Sequence, residues 1–375
     1  MISSTAAVSK LYQQDSIWYA AGYQEVKTIL SDERFLRRPP QNFGFIDQNT
    51  GLTLMDELIS KWILFTDGLP HARLRAVFME MINPRTVKEM KGMIGSLSQA
   101  LLTPILQGSG VDFMQAFAFS LPVSVINILL GTSLDNQTIR EWTYCLAKAL
   151  DHGSPEDFQA ITQTLSLMQA YFKQLVMDKE KAPTQDWISY LVQMKDKYAL
   201  SQDDIIANII FFLLAGHETT QLALGLGLYL LLKNPQQAAL LQQQPDLISS
   251  AVEEIFRYEP PLRKVSRWTR EDIVIQEQLI PANQLVVALI HEANKDSVRF
   301  SQPESFDIQR ENNRHLTFGV GAHSCIGSLL SRLELQIALS LLIPHLDRFS
   351  LREQEIVWLP NSSMRYLYKL PIDIT

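Results

Sequence analysis

The sequence predicts a mainly α chain with a small β region, and three observations carry that prediction. Residues 56–234 are dominated by amphipathic helical patterns, broken by short polar loops such as HGSPED and KEKAPTQD. Residues 201–233 form one unusually long apolar run with helix signals at both ends. Between 267 and 288 the periodicity changes to alternating β-branched runs, DIVIQ and LVVAL, around a turn at IPANQ.

Taken in order, residues 18–35 read as a short strand followed by a helix ending near SDERF. In the long run, Ser201 with Asp204 forms a capping arrangement, and Lys233, Asn234 and Pro235 supply a cation, a turn former and a breaker. Such a helix spans roughly 45–50 Å, the width of a domain. Its length invites a transmembrane reading. The centre, however, carries His217, Glu218, Thr219, Thr220 and Gln221, and an acid at mid-membrane costs about 2.5–3.5 kcal/mol. A buried spine is the better reading. A final helix is expected over 326–343, and the tail over 357–374 reads as a hairpin. With no repeat or low-complexity linker, residues 1–375 are read as one domain, 1–17 being a shortened N-terminal segment.

Of 375 residues, 46% are hydrophobic and 19% charged, which suits a globular chain large enough to enclose a cofactor. A net charge of −7 argues against a nucleic-acid partner. The first fourteen residues have neither the basic start nor the apolar run of a secretory signal or membrane anchor, so a cytoplasmic protein is expected. Two cysteines, Cys145 and Cys325, give no disulfide framework and fit a reducing compartment. Cys145 sits in the helical EWTYCLAKALDH and reads as a small buried hydrophobe.

Cys325 is different. It follows a glycine-rich loop, FGVGAHSCIG over 318–327, and directly precedes a helix. Glycines let the backbone curl so that amide N–H groups point at the sulfur, and a helix N-terminus favours thiolate. Such a thiolate ligates iron or acts as a nucleophile. A zinc site would need further ligands, and only His323 is near. A nucleophile would need a base, again only His323. A buried structural cysteine is the bland alternative.

At this point the sequence resembles the cytochrome P-450 superfamily, soluble bacterial branch. Phe318, Gly321, His323, Cys325 and Gly327 match its cysteine loop. Glu254-Ile-Phe-Arg257 matches its glutamate–arginine helix motif, and Ala215-Gly216-His217-Glu218-Thr219-Thr220 matches its oxygen-activation motif. The three stand in the family's order, and the likeness runs from about residue 18 to the C-terminus. It takes in His71-Ala-Arg-Leu-Arg75, Arg267 and Phe306-Asp-Ile-Gln-Arg310. A lone ExxR would be a very weak signal.

The resemblance implies a single-domain fold with haem b buried between the long central helix and the cysteine-loop helix. Cys325 would ligate the iron. Ala215, Gly216, Phe318, Gly319 and Gly327 would surround the haem, and His71, Arg75, Arg267 and His323 would hold its propionates. Arginine suits that task through its charge and planar fork. Thr219 and Glu218 would be catalytic, holding bound oxygen and relaying protons, while His217 is expected to be inert. Glu254 and Arg257, one helical turn apart, would brace the loop with Arg310.

The implied activity is insertion of one oxygen atom of dioxygen into a medium-sized hydrophobic molecule, in bacterial secondary metabolism. Electrons would come from a ferredoxin or flavodoxin with its reductase, and thus indirectly from NAD(P)H. Arg314, Arg332 and Arg310 are candidates for that docking face or for structural roles. Helix spacing puts Phe211 and Leu214 on the haem side, and the resemblance adds Leu262, Val265, the loop over 43–64 and the turn near Ser363. Arg263 and Lys264 would meet an anionic substrate group or lie exposed. A monomer without a membrane anchor is expected. The short N-terminus departs from the family pattern in its first helix. Rival readings are oxidative coupling, desaturation or ring closure, use of peroxide, a carrier-bound substrate, and a haem sensor without turnover.

Overall fold

The computed structural model describes residues 10–40, 53–150, 157–360 and 363–375. Residues 1–9, most of the HGSPED loop and the 43–52 part of the expected substrate loop lie outside the described residues. The helical part forms one large apolar core, and a second, smaller core lies under the main sheet.

That sheet has five strands, in the order Leu11–Gln14, Ile17–Ala20, Leu285–Leu289, Lys264–Thr269 and Phe35–Leu36. Ile17–Ala20 pairs with Leu285–Leu289 in parallel and the other pairs are antiparallel. The expected strand and helix over 18–35 are Ile17–Ala20 and Tyr23–Ser31. LVVAL is the strand Leu285–Leu289. DIVIQ instead belongs to a separate hairpin, Ile273–Ile275 with Gln278–Ile280, because Gln276 and Glu277 both take positive φ at its tip.

The tail needs a correction. Val357–Trp358 and Leu367–Lys369 do form a hairpin. Pro371–Ile374 leaves it and pairs instead with Gly110–Asp112 and Phe349–Leu351, the former a strand inside the region expected to be helical. Its residues Ile372 and Ile374 are buried in the helical core, which a continuing hairpin would expose.

The long apolar run is confirmed as a buried spine, but it is not one helix. Ser201 and Asp204 cap it reciprocally at 3.0 and 2.9 Å, and Lys233 ends it before Asn234. Between them the chain breaks into Gln202–Ala215 and Glu218–Lys233, with His217 at φ −118° and ψ −39°. By length and composition both this run and residues 328–348 would pass for membrane spans, yet 78% of the most apolar stretch of the first is buried within the protein. The helix after Cys325 runs Ser328–Leu342 and packs against Glu218–Lys233.

Candidate active site

The break in the central helix is made by side chains that compete for its carbonyls. The Thr219 hydroxyl donates to the Ala215 carbonyl at 3.3 Å, and His217 Nδ1 donates to the Leu213 carbonyl at 2.5 Å. Burial lowers the His217 pKa to about 4, so the ring is neutral and held in place. A Cβ on Gly216 would fall 2.7 Å from the Phe212 carbonyl oxygen and 3.0 Å from Ile126 Cδ1. The protein's own packing therefore requires glycine there.

Between residues 205 and 228 of this spine, only Phe211, Ala215, Gly216 and Thr219 retain accessible surface. Phe211, Ala215 and Thr219 recur every four residues, so they form one stripe. Leu214 is packed into the core instead, since its position falls off that stripe. Leu262 and Val265 are half-buried, as are Arg263, Lys264 and Ser363.

Glu218 lies at the head of the second half-helix. Burial raises its carboxyl to about 7, opposed by a hydrogen bond from the Tyr366 hydroxyl. Thr220, two residues on, bonds Ser331 at 3.2 Å and ties this segment to the cysteine helix.

The cysteine loop is built from backbone hydrogen bonds. The Gly319 N–H donates to Leu316 O at 2.8 Å and the Cys325 N–H to Phe318 O at 2.8 Å. Gly319 and Gly321 both have positive φ, and a Cβ on Gly321 would sit 2.8 Å from Ser31 Cα. Phe318 packs edge-on against Phe256, and the Arg332 guanidinium lies 4.2 Å over its ring. Burial pushes the Cys325 thiol up; the N–H groups of Gly327 and Ser328 and the charges of Arg332 and Arg75 act the other way. Yet Cys325 has substantial accessible surface. A group deep in the protein that is still accessible lies on the wall of an internal cleft.

The expected cations are gathered beside it. Arg75 donates to Ser324 O and Oγ, both at 2.8 Å, and the rings of His71 and His323 lie 4.1 Å apart. His323 Nε2 meets Asp67 at 3.1 Å. Arg267 is buried, donates to its neighbour Ser266 O at 2.9 Å, and among the described residues has no carboxylate in salt-bridge contact. Burial and the nearby Arg37 depress its pKa. Two residues here escaped the sequence reading. Arg37 is buried, donates to Leu64 O and Ser266 O at 2.9 Å, and has its pKa lowered to about 10 by burial. Asp67 accepts from the Arg37 and Arg38 N–H groups as well as His323. The turn at Asp67-Gly68, where Gly68 takes positive φ, was the available signal.

These residues fit a haem. Among the described residues no cluster of three or more His, Cys, Asp or Glu could hold a bare metal ion. Cys325 would therefore serve as a single protein ligand, which suits iron whose other positions a macrocycle fills. The buried, like-charged pair Arg267 and Arg37 calls for anions, a need that the propionates of a haem would meet.

Behind the loop stands the brace. Arg257 and Glu254 are fully buried and joined by two bonds of 2.8 Å. Arg257 also donates to Asn294 O, Pro303 O and Ser305 O, while Glu254 accepts from Arg310, Asn313 and the Asp307 N–H. Arg310 is accordingly removed from the docking candidates: its guanidinium is held by Glu254, Ser301, Gln302 and Ser305. Arg332 pairs with Glu253 at 2.6 and 2.9 Å, and Arg314 is exposed.

A cysteine loop with an accessible sulfur, together with a broken helix that carries an acid and an alcohol, defines a haem-thiolate oxygenase. The cytochrome P-450 family model matches residues 17–371, and the chain belongs to that family. It is 34% identical over 367 residues to cytochrome P-450 CYP107DY1 of Priestia megaterium, covering 95% of this chain and 89% of that one. It is 33% identical over 359 residues to the biotin biosynthesis cytochrome P-450 of Bacillus subtilis, with the same coverage. Among solved structures, P450BioI in complex with hexadec-9Z-enoic acid ligated to acyl carrier protein superposes with a TM-score of 0.92 at 32% identity, over 98% of this chain and 96% of that one. The protein is an oxidoreductase of the cytochrome P-450 monooxygenase type, a family that uses haem and dioxygen.

Proposed function

We propose that the protein inserts one atom of dioxygen into a medium-sized hydrophobic molecule of bacterial secondary metabolism. The observation that carries this reading is the acid–alcohol pair, Glu218 and Thr219, at the break of the central helix. The bound haem b supplies the oxidising chemistry, with Cys325 as its ligand. Arg75, Arg267, His71 and His323, joined by Arg37, would hold the propionates. Thr219 presents its hydroxyl at the widened turn, and Glu218, near neutrality, takes up and gives a proton at its carboxyl oxygen.

Phe211, Leu262 and Val265 supply an apolar wall for the substrate. A ferredoxin or flavodoxin, reduced through its reductase by NAD(P)H, provides the two electrons. The docking face includes Arg314. The protein acts as a cytoplasmic monomer. The likeness to the polyketide biosynthesis cytochrome P-450 PksS of Bacillus subtilis, at 30% identity, supports the setting.

A second reading, a substrate tethered to a carrier protein, draws on the likeness to P450BioI in its carrier-protein complex. Turnover under isotopically labelled dioxygen tests the main proposal. One labelled oxygen in the product supports insertion, whereas a desaturated or coupled product without label replaces it with the coupling alternative.

A further inference from the structure

We propose that Tyr366 positions the Glu218 carboxyl for proton delivery, the phenol being carried to this buried acid by the C-terminal hairpin. This rests on the proton-relay role given to Glu218 above. Tyr366 directly precedes the strand Leu367–Lys369, and its own carbonyl accepts the Leu359 N–H at 2.9 Å across the hairpin. Leu367 is completely buried, and its Cδ2 lies 3.4 Å from where a Cβ on Gly225 would sit. Gly225 and Glu218 are seven residues apart, two turns on the same helix face. Leu367 thus packs the hairpin against the Gly225 face of the helix, beside the Met114 side chain that fills the space at Gly225, and the adjoining Tyr366 reaches Glu218.

The hydroxyl of Tyr366 bonds the Glu218 carboxyl. Burial and the neighbouring carboxylate raise the Tyr366 pKa, so it remains a donor. A donor stabilises the ionised acid and opposes the upward push of burial. The charged and titratable groups facing Tyr366 are Arg140, from the helix Asn136–Leu150, and Tyr368. Arg140 also lies 3.8 Å over the Phe119 ring, whose edge meets neutral His217. Tyr366 therefore neighbours both the acid and Arg140. Glu218 keeps one orientation and a pKa near neutrality because that hydroxyl is there.

The test uses the haem-loaded full-length protein. The infrared C=O absorption of protonated Glu218 is titrated with pH, with Glu218→Gln as the baseline. Tyr366→Phe should move the midpoint up by roughly half to one pH unit, as expected for one lost hydrogen bond to a carboxylate. The pH profile of peroxide release relative to product should move with it. Should Tyr366→Phe fold poorly, 3-fluorotyrosine at 366 keeps the size and strengthens the donor, and should move the midpoint down. An unmoved midpoint with either change overturns the proposal. If Glu218→Gln itself leaves peroxide release unchanged, the relay reading falls and takes this proposal with it. If Glu218→Gln raises peroxide release but Tyr366→Phe shifts neither readout, only Tyr366 is dismissed.

Discussion

The Arg75 guanidinium grips both the carbonyl and the hydroxyl of Ser324, each at 2.8 Å, and so fixes the residue before Cys325 from a helix 249 positions away in sequence. Arg75 thereby serves the loop in addition to the propionate role proposed for it. Arg267 differs, since it is a buried cation beside Arg37 with no salt-bridging carboxylate among the described residues.

That contrast yields the first prediction. Arg267→Met should speed haem loss about tenfold, the effect of losing one charge-assisted contact. The haem-free fold should be no less stable, because a buried like-charge repulsion is relieved. Haem transfer to an excess of apomyoglobin and urea unfolding measure the two effects. Unchanged haem loss would remove Arg267 from the propionate set.

Glu254 neutralises two arginines, Arg257 and Arg310, inside the protein. Glu254→Gln should lower the unfolding free energy by about 3–5 kcal/mol. A loss under about 1 kcal/mol, the scale of an exposed pair, would contradict the brace.

Much of this was legible in the sequence because it is local. The cysteine loop, the capping of Ser201 and the turn of helix joining Glu254 to Arg257 are each set within a few residues. What was hidden depends on distant contacts. The run AGHETT contains no proline, and its break comes from hydroxyl and imidazole bonds to carbonyls one turn back. Leu214 was assigned to the pocket by spacing, but the accessible stripe runs through Phe211, Ala215 and Thr219. Tyr366, Arg37 and Asp67 reach the site from parts of the chain whose local pattern names no function. Arg310 looked available for docking only because its carbonyl partners were unseen.

Glu334, on the cysteine helix, is fully buried, and desolvation raises its carboxyl to about 8. Its carboxyl is held protonated in the fold, while the unfolded chain releases that proton near 4.5. Stability from this group is full below about 4.5 and falls as pH rises to about 8. Glu334→Gln should flatten that decline in denaturant titrations. An equally steep decline in the variant would mean that the carboxyl is ionised in the fold.

Thr219→Ala removes the hydroxyl at the break and should raise peroxide release relative to product several-fold, with haem content unchanged. Electron and product counting in turnover checks it. Unaltered coupling would take Thr219 out of the catalytic pair.

The central claim is that Cys325 holds the haem iron as a thiolate, and the visible spectrum of the reduced protein under carbon monoxide tests it most directly. The account predicts a strongly red-shifted Soret band in the wild type and its loss in Cys325→Ala. A band at the ordinary globin-like position in the wild type, or a red-shifted band that survives in Cys325→Ala, would contradict it.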